Sequence, residues 1–264
     1  MLELKDLHKT FNPGTVNAKA ALNGLSLTLR DGEFVTVIGG NGAGKSTMLN
    51  ATAGTLQVDS GEVFLDGIDV TDLPEYKRAS YIGRVFQDPM MGTAPTMQIE
   101  ENLALAARRG QHRGLKWGIT KAERAEYQKR LHALDLGLED RMTAKVGLLS
   151  GGQRQALTLL MAALQQPKLL LLDEHTAALD PRTAEKVLEL SDRIVQEHGL
   201  TTLMITHNMK DAIAHGNRLI MMDAGQVVVD VSGEEKKKLT VPDLLAMFSR
   251  ASGSDEANDK MLLS

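Results

Sequence analysis

At 264 residues the chain can bury a sizeable core and is long enough for one large domain or two closely joined lobes. A formal net charge of -4 leaves no electrostatic footprint for nucleic acid, and the absence of cysteine removes disulfides, thiolate metal sites and thiol catalysis together. The start, Met1-Leu2-Glu3-Leu4-Lys5-Asp6, lacks the basic-then-apolar build of a signal peptide. The longest apolar run, Leu159 to Leu164, falls far short of the roughly 20 residues that span a bilayer, so the expectation is a chain soluble by itself that meets a membrane only through a partner.

Residues 1 to 35 alternate apolar and polar side chains in short runs, Leu2 to Leu7 and Leu25 to Leu29, with Pro13-Gly14 between them, which predicts an antiparallel β region. Phe34 to Ile38 is the apolar, β-branched run of a buried parallel strand, and helix formers follow from Ser46 to Ala53. Between them lies Gly39-Gly40-Asn41-Gly42-Ala43-Gly44-Lys45-Ser46, followed by Thr47, a match to G-x-x-x-x-G-K-[ST] in the strand-to-helix setting that the motif requires. A loop that turns its N–H groups onto phosphate needs positive φ and little side-chain bulk, which explains the glycines. Lys45 supplies charge to the β- and γ-phosphates and Ser46 a hydroxyl ligand for Mg²⁺, so the loop is expected to hold a nucleoside triphosphate. Gly61 to Val70 then predicts a hairpin turning at Asp66-Gly67.

Tyr81 to Phe86 reads as an apolar strand that ends at Gln87. Beyond it, Asp88 to Ile99 carries Met90, Met91 and Met97 between Pro89 and Pro95: either an adaptable apolar docking groove or a set of gap-fillers under a helical lobe. From about 98 to 165 the pattern turns helical, with an amphipathic stretch from Ile99 to Arg109, a Gly-punctuated basic connector over 110 to 118, and Thr120-Lys121-Ala122-Glu123 as a capping box. Leu149-Ser150-Gly151-Gly152-Gln153 opens a further helix running to Leu164, whose first N–H groups and positive end can face an anion.

Leu169 to Leu172 is a buried strand ending in Asp173-Glu174, which sets two carboxylates at the sheet edge that also bears the phosphate loop. Asp173 is suited to the Mg²⁺ hydration shell and Glu174 to the attacking water. Asp180-Pro181 reads as N-cap and first residue of the next helix. Thr201 to Ile205 is another buried strand, followed by Thr206 and His207, and a last hairpin spans Leu219 to Val231 around Ala224-Gly225. Past Phe248, Ser252-Gly253-Ser254-Asp255-Glu256 has too little apolar content to order itself.

Taken with the phosphate loop and Asp173-Glu174, the segment Ser150-Gly151-Gly152-Gln153 resembles the signature of the ATP-binding cassette (ABC) family, and the likeness spans about residues 1 to 230. It implies an α/β fold with a RecA-like P-loop core, an antiparallel β subdomain and an inserted α-helical subdomain near 88 to 165. A helical extension over 231 to 250 and a flexible tail from 251 to 264 would follow. Residue by residue, Gln87 is similar to the family glutamine that touches Mg²⁺ and the attacking water, unless it is only a polar strand end. His207 resembles the histidine on the γ-phosphate, with a purely structural histidine as the alternative. Ala177-Ala178-Leu179-Asp180 resembles the loop that crosses the dimer interface, where Asp180 can also be a plain helix cap. Phe11 resembles the aromatic stacked on adenine, or else belongs to the core. His175 departs from the pattern, since most members have proline there; a flexible, titratable side chain in that place is either tolerated or tunes the interface or hydrolysis.

The resemblance implies an ATPase that sandwiches two ATP, with Mg²⁺, in a head-to-tail pair of subunits, each phosphate loop facing the partner's Ser150-Gly151-Gly152. It further implies integral membrane permease subunits and an extracytoplasmic solute-binding protein as partners, no nucleic acid, and a peripheral place on the cytoplasmic face of the cell membrane. A single cassette of this size is similar to bacterial importers of small solutes, and Glu174 to Asp180 is similar in wording to cassettes for amino-acid or peptide-like compounds. The competing reading is a soluble cassette ATPase in DNA repair, metal-cluster assembly or translation, against which stands the lack of a coiled-coil insertion or a second cassette.

Overall fold

The computed structural model describes residues 1–111 and 118–252. Two sheets share one apolar interior. In the first, β1 (Leu2–Phe11) pairs antiparallel with β2 (Lys19–Leu29) on one side and β4 (Ser60–Leu65) on the other, and β5 (Ile68–Asp69) closes the hairpin on β4. The turn between β4 and β5 carries Asp66 at φ 51° and Gly67 at φ 75°, two positive-φ central residues as a type I′ turn demands.

The second sheet has the order β10-β9-β3-β8-β7-β6. Here β3 (Phe34–Ile38), β6 (Ile82–Val85), β7 (Leu169–Asp173), β8 (Thr202–Ile205) and β9 (Arg218–Asp223) run parallel, while β10 (Gln226–Ser232) turns back on β9 through Ala224-Gly225. Both faces of its central strands are covered, which is why those strands read as unbroken apolar runs. Alternation still sorts them: Val35, Val37, Leu169, Leu171, Leu203 and Ile205 face one interior, and Phe34, Leu170, Leu172 and Met204 the other. The first interior is shared with Leu2, Leu4, Leu22 and Leu27 of the antiparallel sheet and with Met48 and Leu49 of α1 (Lys45–Ala53), so α1 is held between the sheets. A short α2 (Glu75–Arg78) follows β5 and buries Arg78, whose guanidinium donates to the carbonyls of Thr71, Leu73, Ala51 and Thr52.

The opposite interior belongs to the helical insertion: α3 (Ile99–Ala107), α4 (Lys121–His132) and α5 (Gly151–Ala163), with the long α6 (Pro181–His198) packed beside α5. The Thr120–Glu123 capping box forms, and α3 gains one from Gln98 and Glu101. The connector predicted over 110 to 118 lies outside the described residues from 112 to 117. After α7 (Met209–Ala214) and the β9–β10 hairpin, the chain ends in α8 (Gly233–Lys237) and α9 (Val241–Ser252), with Leu244 and Phe248 buried against Ile38, Ala212, Leu219 and Met221. The strand β10 runs to Ser232, so the helical extension expected from 231 starts two residues later, at Gly233. Ala251 and Ser252, assigned to the tail by sequence, close α9, and the rest of that tail, 253 to 264, lies outside the described residues.

Candidate functional site

The strand order brings four loops to one edge. Because β3, β8, β7 and β6 are successive parallel neighbours, the segments leaving their carboxyl ends emerge side by side: Gly39 to Lys45, Thr206-His207, Asp173-Glu174 and Phe86-Gln87. Register fixes how closely, since Ile205 pairs with Val37 on one side and with Asp173 on the other. This crevice beyond the strand ends is where open α/β sheets bind ligands.

In the phosphate loop, Gly39, Gly42 and Gly44 have φ of 154°, 84° and 101°. A side chain at Gly39 would collide with the Met222 carbonyl, and a Cβ on Gly44 would stand 2.5 Å from the Ala21 carbonyl. The loop is therefore wedged between the β9–β10 hairpin and β2, which only glycine permits. Lys45 is buried, and its ammonium donates to the Gly39 and Gly40 carbonyls at 2.5 and 3.2 Å. Burial lowers its pKa from the ordinary lysine value, opposed by the carboxylates of Glu174 and Asp173. Asn41, Gly42 and Ser46 face solvent, and Thr47 is half-buried.

Asp173 lies 3.2 Å from Arg84 Nη2. Burial pushes its carboxyl pKa up, and Arg84 opposes that shift. Glu174 Oε2 stands 3.6 Å from His207 Nδ1, and the Glu174 backbone has φ 43°, a region that costs a non-glycine residue about 1 to 3 kcal/mol and that collects at functional sites. Gln87 is exposed at the end of β6. A hard cation of the Mg²⁺ kind is bound through one or two carboxylates together with substrate phosphates and water. The oxygen donors of Ser46 and Asp173, on loops at the same sheet edge, fit that mode; among the described residues no group of three His, Cys, Asp or Glu side chains that could hold a metal ion gathers at any place.

The remaining predicted residues lie apart from this edge or on its rim. Phe11, 39% exposed, is no core residue; it pairs with Lys19, whose ammonium reaches Gly42 of the phosphate loop. Ser150 caps α5 by accepting from the Gln153 N–H at 3.3 Å, while Gln153 Oε1 accepts from the Ser150 N–H at 3.2 Å. Gly151 is exposed and Gly152 buried, and a methyl at Gly152 would overlap Thr183 of α6. Ser150, Gly152 and Gln153 line an open cleft of about 580 Å³ between α5 and α6 that includes no residue of the phosphate loop. Asp180, exposed, caps α6 through the Thr183 N–H at 3.1 Å.

Three residues escaped sequence reasoning: Lys19 beside Gly42, Arg84 on Asp173, and Gln155, buried on α5 and donating to the Phe86 carbonyl next to Gln87 at 3.2 Å. Their partners lie far along the chain, so no local pattern marks them. His175 corrects an expectation. It is 2% exposed and bonded to Ser191, and burial, helped by His215, lowers its pKa to about 4, so it is neither flexible nor titrating near neutrality.

A family model described as ABC transporter matches residues 22–177, more than half of the chain. The chain belongs to the ABC transporter family. This cassette is 47% identical over 252 residues to the tyrosine transport ATP-binding protein of Clostridioides difficile, covering 95% of the chain and 100% of the relative. It is 38% identical over 231 residues to the methionine import ATP-binding protein MetN of Rhizobium johnstonii, covering 86% of the chain and 60% of that longer relative. Among solved structures, it matches the dimeric post-hydrolysis state of the ATP-binding cassette MJ0796 bound to ADP and Pi with a TM-score of 0.74 and 32% identity, covering 88% of this chain and 98% of that one. The fold is thus that of an ABC ATPase cassette, a RecA-like P-loop core with an antiparallel β subdomain and inserted helices, and the family supports ATP hydrolysis.

Proposed function

We propose that this cassette is the ATP-hydrolysing subunit of an importer of an amino acid or related small solute, and that it works as a head-to-tail pair enclosing two ATP. The observation that carries this reading is the convergence of Lys45, Asp173, Glu174, His207 and Gln87 on one sheet edge while Ser150, Gly152 and Gln153 line a cleft against α6 that includes no phosphate-loop residue. A second copy supplies the missing half of each site. The phosphate loop and Lys45 hold the β- and γ-phosphates, Phe11 stacks on adenine, and Ser150, Gly151 and Gly152 present N–H groups to the γ-phosphate across the interface. Glu174 accepts the proton of the attacking water, with His207 and Gln87 orienting the γ-phosphate and that water. Ser46 and Asp173 would hold Mg²⁺, which when bound offsets the charge of the phosphates.

Among the described residues no helix is long and apolar enough to cross a membrane, so the transport path is assigned to permease subunits, with the cassette on their cytoplasmic face and a solute-binding protein outside. Full-length similarity to a tyrosine transport protein favours an aromatic or other amino acid as solute. In proteoliposomes holding the cassette and its permease, ATP should drive uptake of labelled tyrosine when the solute-binding protein is added. Ser150→Arg should abolish hydrolysis yet leave fluorescent-ATP affinity of the isolated subunit unchanged, and Lys45→Ala should weaken that affinity itself. Equal loss of affinity in both variants contradicts a site shared between two subunits.

A further inference from the structure

Seven residues, Glu174 to Asp180, connect β7 to α6, and both ends of this loop are tied by short bonds. The Glu174 N–H donates to the Ile205 carbonyl at 3.0 Å, and Asp180 caps α6 through the Thr183 N–H. Within the loop, Ala177 donates to the Glu174 carbonyl at 2.9 Å and Leu179 to that of Thr176 at 3.1 Å. Ala177 and Ala178 are exposed, so these turns alone leave the loop on the surface.

His175 is its interior anchor. Its Nε2 lies 3.0 Å from Ser191 Oγ, and both residues are buried. The Ser191 hydroxyl sends its one proton to the Val187 carbonyl at 2.8 Å, so toward His175 it can only accept, and His175 must donate from a protonated Nε2. The acceptor sits on α6, whose apolar face of Val187, Leu188, Leu190, Ile194 and Val195 is buried, which makes it a rigid reference. The adjacent residue is Glu174, with its backbone at φ 43° and its carboxylate toward His207. A backbone turn at Glu174 that released the left-handed conformation would carry the imidazole off Ser191, leaving a buried donor and a buried acceptor unpaired.

We propose that His175 is a positioning residue for ATP hydrolysis, whose buried hydrogen bond to Ser191 of α6 holds Glu174 in the conformation that aims its carboxylate at the reaction edge. This rests on the reading of Glu174 as the base that receives the water's proton. His175 itself touches neither nucleotide nor cation; it works through the adjoining peptide.

The test uses the full chain and steady-state ATPase kinetics, with Glu174→Gln alongside. His175→Leu, which fills the space without a donor, and Ser191→Ala, which removes only the acceptor, should each lower kcat by about tenfold or more, since small misplacements at a reacting centre are costly. The KM for ATP and the fluorescent-nucleotide affinity should stay within about twofold, because the phosphate loop is untouched. His175→Gln, whose amide nitrogen reaches the place of imidazole Nε2, should recover most of kcat, and the His175→Leu/Ser191→Ala pair should be no slower than the slower single variant. Where His175→Leu does not fold, Ser191→Ala decides alone. A Ser191→Ala enzyme that turns over normally, even with a lowered melting temperature, overturns the proposal, as do multiplying losses in the pair. If Glu174→Gln itself hydrolyses ATP normally, the assignment of the base fails instead.

Discussion

Glu174 sits where two demands meet: its backbone is held in the left-handed region at φ 43° and its carboxylate, still partly open to solvent, faces His207. A non-glycine residue is kept there only when its surroundings over-determine it, and here the bond to the Ile205 carbonyl does part of that. Replacing the carboxylate with an isosteric amide removes the proposed proton acceptor and keeps the shape. Glu174→Gln should therefore slow hydrolysis by about 10²-fold or more with ATP binding intact, the scale on which a positioned base contributes. Gel filtration with Mg-ATP should then show a dimer that outlasts that of the parent protein, and near-normal turnover would remove Glu174 from the role. At the neighbouring carboxylate, Arg84 is already in place 3.2 Å from Asp173 although 89 residues separate them in sequence. No reading of the chain alone could pair them, because the contact arises from the adjacency of β6 and β7.

At the scale of elements, what the sequence made legible was local. Turns at Asp66-Gly67 and Ala224-Gly225, the capping box at Thr120, the helix opened at Ser150 and the Asp180-Pro181 helix start all depend on a few consecutive residues and all form. What stayed hidden was how elements press on one another. The buried glycine of Ser150-Gly151-Gly152 is required because Thr183 of α6 fills the space a side chain would need. Gly152→Val should destabilise the fold by about 1 to 3 kcal/mol, as overpacking does, and Thr183→Ala in the same chain should return part of that loss in urea denaturation. A second hidden contact fixes α8, where Lys236 is 2% exposed and donates to the carbonyls of His215 and Gly216. Burial lowers its pKa to about 8. Below pH 8 both folded and unfolded chains carry this proton; between about 8 and 10.5 only the unfolded chain does, so stability rises with pH across that window. Relative to Lys236→Met, the parent protein should gain up to about 3 kcal/mol between pH 7.5 and 10.5. A difference that stays flat with pH would show that Lys236 is not buried as a charge.

Across the whole molecule, the parallel sheet divides the interior, with α1 and the antiparallel strands on one face and the inserted helices on the other. The segment after Gln87 runs from the sheet edge that bears Glu174 to α3, and there Met90 and Met91 are 42% and 67% exposed while Met97 is half-buried. Met91 thus leaves apolar surface open, as the docking alternative requires, while Met97 is only half-buried. Leu148, 71% exposed, lies beyond Gly147, whose carbonyl receives Arg154, and Arg154 also reaches the Met90 sulfur. Methionine surfaces of this kind adapt to a partner's apolar side chains, and this one is joined through Phe86 to Gln155 and hence to the signature helix. A permease helix seated here would sense both Gln87 and α5. Met91→Arg introduces a charge at an exposed position and removes nothing from the core, so melting temperature and ATP binding should hold while capture of the permease in detergent pull-down is lost. Unchanged capture would place the permease elsewhere on the cassette, and an unfolded variant would mean that Met91 serves the fold.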